Sequence, residues 1–244
     1  MRSSLVLGIA AVLAATIFPF PARPSHQDGS GSSPTRAATA PTARVRPDDV
    51  AVLVIDVQEP FVSMMSVPSA PVLARIEQLL LSADYWGVPV IATLERQRQG
   101  GAVLIERLAS VLPAGSSTLP KSTFDATREP EIAAALRALG KRQIAVVGCE
   151  TDVCVLQTVL GLLDMGFEVF LLEDAVFSHE NGTMPALRRM EAAGAVPTTM
   201  KSFYFEMEGR VGAAPADDDQ RARWERLRNR LRSPYDLPPS AQPR

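Results

Sequence analysis

From Val50 onward, short apolar runs alternate with segments of helical spacing, and no other feature limits the fold of this chain so tightly. Val50–Ile55 is an unbroken apolar run, which predicts a strand buried on both faces and ending at Asp56. Pro71–Trp86 has helical spacing through Leu73, Ile76, Leu79 and Leu80, and Gly87 stops it. Val88–Thr93 reads as a second strand, Ala102–Val111 as a helix, and Ser117–Leu119 as a short third strand before Lys121. Pro130–Leu139 reads as a helix with proline in its first turn and Gly140 after it, followed by a fourth strand at Gln143–Gly148. Then come a helix at Cys154–Met165, a strand at Phe167–Leu172, a helix at Met184–Ala193 and a last strand at Ala195–Thr199. Strands separated by helices predict an α/β fold: a doubly wound, mostly parallel six-stranded sheet with helices on both faces. Ligands of such sheets bind outside the carboxyl ends of the strands, near the point where strand order reverses. Asp56 and Cys154 both follow strand ends, so they are expected on one rim.

The flanks differ from this domain, which we bound at residues 47–209. Arg2 precedes an uncharged apolar run from Leu5 to Phe20, shorter than the ~20 residues a membrane span needs. An export signal, a short anchor and upstream sequence not normally translated all fit residues 1–22, although a clean small-x-small cleavage site is missing. Residues 23–46, rich in Pro, Ser, Ala and Gly, read as a disordered linker. Residues 210–244 read as a helix, with Trp224, Leu227 and Leu231 on one stripe, and a proline-rich tail. That stripe is expected to pack on the domain or on a partner subunit.

Charge and ligand-forming residues exclude several functions. A net charge of −2 and a pI near 5.8 give no basic field for nucleic acid. Cys149 and Cys154 cannot build a disulfide framework or a four-thiolate zinc site, and His26 and His179 cannot build a multi-imidazole metal centre. Of 25 basic residues only Lys121, Lys141 and Lys201 are lysine, so lysine is kept where a compact ammonium is needed or survives there by chance.

Cys154 stands where a strand is handed to a helix, in Val147-Gly-Cys-Glu-Thr-Asp-Val-Cys-Val155. A thiol there faces the positive end of a helix dipole, which favours the nucleophilic thiolate. A thiol, a base and a cation suffice for a cysteine amidase, and Asp56, Lys121 and Cys154 supply them. Each residue alone also has an ordinary explanation: a turn cap, a surface lysine, a buried structural cysteine.

Their order changes the balance. Val52-Leu-Val-Ile-Asp-Val-Gln-Glu-Pro-Phe61, Leu119-Pro-Lys-Ser-Thr-Phe124 and the segment around Cys154 together resemble the isochorismatase-like cysteine hydrolases, from about Val50 to about Met207. Gly166-Phe-Glu-Val-Phe-Leu-Leu-Glu-Asp-Ala175 adds that superfamily's fifth strand and the Asp-Ala after it. The resemblance implies Asp56 as general base, Lys121 as its cationic partner and Cys154 as nucleophile. It also implies a cis peptide at Cys149–Glu150 and an oxyanion hole made by the Glu150 and Cys154 N–H groups. Gln58 and Phe61 are expected to line the pocket, and His179 to sit in a loop over the rim. A small-molecule amide substrate, no cofactor and a homo-oligomer follow from the same resemblance.

Departures limit it. Nicotinamidases of the superfamily carry an Asp–His–His metal site, and the corresponding stretch Thr93-Leu-Glu-Arg-Gln-Arg-Gln-Gly-Gly101 has no histidine, so no metal is expected. In one branch the second-strand loop reads Thr-Glu-Gln; here Leu94 interrupts it, so the substrate-facing loop is altered. True isochorismatases typically lack the cysteine this chain has. Hydrolysis of a small C–N bond through a Cys154 thioester is the leading expectation. Vinyl-ether hydrolysis with Asp56 as acid, and a non-catalytic thiol sensor or subunit, are the alternatives.

Overall fold

The computed structural model describes residues 43–96, 102–211 and 214–230. The 1–22 segment, nearly all of the 23–46 linker and the tail beyond residue 230 lie outside the described residues.

Six parallel strands form one sheet in the order β3-β2-β1-β4-β5-β6. They are β1 (Val50–Ile55), β2 (Val90–Glu95), β3 (Ser117–Lys121), β4 (Gln143–Cys149), β5 (Glu168–Phe177) and β6 (Val196–Thr198). The helices are α1 (Ser69–Trp86), α2 (Glu106–Ala109), α3 (Pro130–Ala138), α4 (Leu156–Asp164), α5 (Met184–Ala193), α6 (Met200–Glu208) and α7 (Asp218–Arg230). Side chains alternate across a strand, so β1 serves two cores at once. Val50, Val52 and Val54 join α1 and α6 on one face, while Ala51, Leu53 and Ile55 join α3, α4 and α5 on the other. All six β1 residues are buried, which is why the run carries no polar residue. Strand order reverses between β1 and β4, so the rim beyond these two strands is the switch point of the sheet.

Several boundaries differ from expectation, each for a local reason. β2 runs two residues further, to Glu95, because its edge pairs with β3 as far as Glu95↔Lys121. β3 likewise continues to Lys121 through Pro120, which an edge strand tolerates. Only one turn of the expected 102–111 helix forms, because Leu104 bridges to Gln58 and the Ile105 N–H donates to the Val57 carbonyl (3.2 Å). β5 extends past Glu173 and Asp174, whose charges had ended the apolar run. Asp174 has partners there: its carboxylate pairs with Arg75 (3.1 Å) and accepts the Met200 N–H (2.8 Å). Helix α6 was not anticipated; Thr199 caps it, accepting the Ser202 N–H (3.2 Å), and Met200, Phe203, Tyr204 and Met207 bury one side.

The linker reading 23–46 overshoots at its end. Val45 is buried with its N–H on Glu206 Oε2 (3.0 Å), and Arg46 pairs with Asp49 and Glu168, so the chain is tied to the domain before residue 47. α7 packs on α1: Leu227 is buried, the Arg223 guanidinium donates to the Asp84 carbonyl (3.1 Å) and Arg226 pairs with the Asp84 carboxylate (2.9 Å).

Gly148 marks a close approach of β4 to β1. It pairs with Ile55 at φ +117°, and a Cβ there would lie 2.1 Å from the Ile55 carbonyl oxygen. No larger residue fits without moving β1, and with it the Asp56 that follows.

Candidate active site

Four strand ends deliver four polar side chains to one spot beside the switch point. Asp56 leaves β1 with φ +51°, in the left-handed region that few residues other than Gly, Asn and Asp enter easily. That bend turns a fully buried carboxylate across the rim. Thr93 Oγ1 donates to Asp56 Oδ1 (3.0 Å). Oδ2 meets the Lys121 ammonium at 2.6 Å.

Lys121, the last residue of β3, is also fully buried. Its ammonium touches three acceptors: Asp56 Oδ2, the Thr123 carbonyl (3.1 Å) and Cys154 Sγ (3.4 Å). Burial opposes the charge most strongly, yet Asp56 and Cys154 outweigh it and leave the ammonium's pKa above the usual lysine value. Lys121 is therefore a cation here.

Cys154 lies in a wide turn, Thr151–Val155, between β4 and α4, and is 4% exposed. The expectation of a sulfur held as thiolate is corrected by its surroundings. The Thr151–Val155 turn runs directly into α4, so Cys154 stands within the first turn of that helix. Burial, and then the Asp56 carboxylate, push the thiol up to about 12 against the pull of Lys121. The resting sulfur is thus a thiol, with its proton carried until a base removes it. Alkylation of Cys154 by iodoacetamide is accordingly expected to rise about tenfold per pH unit between roughly pH 7 and 10. A plateau below pH 9 would contradict this. Cys149 does not confuse the measurement, since it is fully buried and burial drives its pKa far up.

The Cys149–Glu150 peptide is cis. The turn that follows brings the Val153 and Val155 N–H groups onto the Glu150 carbonyl (3.1 and 3.0 Å), placing Glu150 and Cys154 in one tight loop. His179 is half exposed above it, with Nδ1 3.4 Å from Glu150 Oε1 and Nε2 3.6 Å from Glu180. Asp152 accepts the Ser178 hydroxyl, tying the turn to the end of β5.

Gln58 and Phe61 lie on the segment that leaves β1. Gln58 is fully buried, and both ends of its amide bind the Glu95 backbone: Oε1 accepts the N–H (2.8 Å) and Nε2 donates to the carbonyl (3.0 Å). Phe61 packs partly buried against the α1-side core.

Glu95 is the residue the sequence did not single out. Cys154 Sγ donates to its Oε2 (3.6 Å), which lies 3.9 Å from the Lys121 ammonium. Its signal was the strand pattern: β2 ends two residues beyond its apolar stretch, on Glu95, in register with Lys121. Asp56, Glu95 and Cys154 each bring one donor atom within 4.8 Å of the others, a spacing a metal ion could use. The Lys121 ammonium is already 2.6, 3.9 and 3.4 Å from those atoms, so a divalent ion would have to displace a buried cation.

Comparison with known proteins adds to this geometry. The isochorismatase domain model matches residues 50–202. Isochorismatase domain-containing protein 1 of Salmo salar is 35% identical over 135 residues, covering 54% of this chain and 46% of that protein. The chain thus spans about half the length of that relative, and equally of its counterpart from Danio rerio (46%). The secreted isochorismatase effector Isc1 of Phytophthora sojae is 29% identical over 181 residues, 72% of this chain and 85% of that protein. Among solved structures, the YcaC gene product of Escherichia coli, an octameric hydrolase of unknown specificity, superposes with a TM-score of 0.69 at 25% identity, covering 78% of this chain and 91% of that one.

Proposed function

The chain belongs to the isochorismatase family, and from that premise we propose that it is a metal-independent cysteine hydrolase that cleaves a small amide through a Cys154 thioester. One observation carries this: a buried carboxylate, a buried ammonium and a buried sulfur lie side by side, Lys121 Nζ being 2.6 Å from Asp56 Oδ2 and 3.4 Å from Cys154 Sγ. Burying two charges around a thiol is costly unless they are paired, and nothing about the fold requires them there.

The reaction has two halves. Asp56 takes the thiol proton as sulfur attacks the carbonyl carbon, and the N–H groups of Glu150 and Cys154 hold the oxyanion. Asp56 returns the proton to nitrogen, the C–N bond breaks, and the amine leaves a thioester. Water then attacks that carbonyl, giving one proton to Asp56. The C–S bond breaks, and the departing sulfur takes the proton back as the acid is released. Lys121 keeps carboxylate and incipient thiolate tolerable at close range.

Among the described residues, two carboxylates and one ammonium surround the thiol and leave a negative excess beside it. That disfavours the alternative of a polyanionic vinyl-ether substrate. A thiol sensor would want its second cysteine reachable, and Cys149 is sealed in the core. Assembly into a homo-oligomer and export through residues 1–22 are parts of the same proposal, the latter motivated by the secreted relative.

The test is intact-mass measurement during incubation with a panel of small primary amides. An acyl adduct on Cys154 that appears and decays with turnover is expected. Full hydrolysis by Cys154→Ala, of an amide or of a vinyl ether, would overturn the thioester route.

A further inference from the structure

Glu95 closes β2, the neighbour of β1 on the side away from β4. Its side chain keeps 26% of its surface exposed, whereas Asp56 and Lys121 keep none. Of the two carboxylates beside the sulfur, it is the one an incoming molecule meets. The backbone beneath it is gripped by the fully buried Gln58 amide at 2.8 and 3.0 Å. A buried amide with both ends committed to one residue fixes where that residue's side chain begins.

Direction follows from strand order. The Glu150–Cys154 turn lies beyond β4, and Glu95 lies on the other side of β1. A carbonyl whose oxygen points to the turn sends its other substituents away from it, and one of them toward β2 and Glu95. Among the described residues, Lys121 lies against both carboxylates and offsets one of their two negative charges. Arg96, the next residue, is exposed, and its charge reaches Glu129.

We propose that Glu95 sets the charge of the substrate: its carboxylate receives a positive or N–H-rich group beside the scissile bond and turns anions away. This rests on Cys154 being the nucleophile of the proposed hydrolysis.

Size-matched thiol reagents test it without any amide turnover. Rates of Cys154 modification by cationic 2-bromoethylamine, neutral iodoacetamide and anionic iodoacetate are measured by mass and divided by those of N-acetylcysteine. In the wild type, the normalised cation-to-anion ratio is expected to be about tenfold or more at low salt and to shrink in 0.5 M sodium chloride. Glu95→Gln, which keeps the side-chain shape and the backbone grip, should lower that ratio about tenfold, and Glu95→Asp should largely preserve it. A normalised wild-type ratio near one, or a Glu95→Gln ratio within twofold of wild type, overturns the assignment. If no acyl adduct forms on any amide while the ratio still falls in Glu95→Gln, the amidase reading fails and the charge selection stands. An adduct with an unmoved ratio sinks the charge selection alone.

Discussion

Cys154→Ser is expected to lower amide turnover by about a thousandfold or more, measured as kcat/KM on whichever amide the wild type processes best. A serine hydroxyl at this position would meet the same Lys121 and Glu95 partners, which lie 3.4 and 3.6 Å from the sulfur. It differs in two respects that matter to the chemistry. An alcohol is far less acidic than a thiol, so Asp56 cannot remove its proton as readily, and oxygen is the poorer nucleophile. The exchange removes little volume from a side chain that is 4% exposed, so the thermal midpoint should move by only a few degrees. Activity lost with the fold retained separates a chemical role from a packing role. Near-wild-type turnover in the serine variant would remove the nucleophile from the proposed mechanism.

What the sequence made legible was whatever a short stretch decides for itself. The six-residue run of β1 could be assigned because both faces of a central parallel strand are covered, so burial forbids any polar interruption. The ends of β2, β3 and β5 could not, because pairing with a neighbour carries each strand past its apolar stretch: Glu95 and Lys121 are in register with one another across two strands. Asp56, Lys121 and Cys154 were singled out by motif order, and their convergence is a property of the sheet. Glu95 was missed because a carboxylate after an apolar run looks like the end of a strand. Only the distances to sulfur and ammonium distinguish it from a surface acid. The state of the thiol was misjudged for a similar reason. A helix start is visible in sequence, whereas the carboxylate that raises the thiol's pKa comes from a residue 98 positions earlier and arrives only with the fold.

That dependence on convergence gives the second large effect. Lys121→Met is expected to destabilise the protein by about 3–5 kcal/mol, the range found when one partner of a buried ion pair is removed. Methionine fills much of the space left by lysine's methylenes, so lost packing contributes little. The cost arises because Asp56 stays fully buried, keeping Thr93 (3.0 Å) as a hydrogen-bond donor but losing its cation. For a chain of this size, that corresponds to a fall of about 10 °C or more in thermal midpoint. The double variant Asp56→Asn/Lys121→Met removes both charges together and should recover a substantial part of the loss, because a neutral amide does not need the ammonium. Denaturant melts of the wild type, both single variants and the double variant close the thermodynamic cycle. A coupling energy of about 2 kcal/mol or more is expected for groups 2.6 Å apart without solvent. Strict additivity would mean that the two side chains do not support one another, and the triangle of carboxylate, ammonium and sulfur would then be a coincidence of packing rather than a preformed catalytic unit.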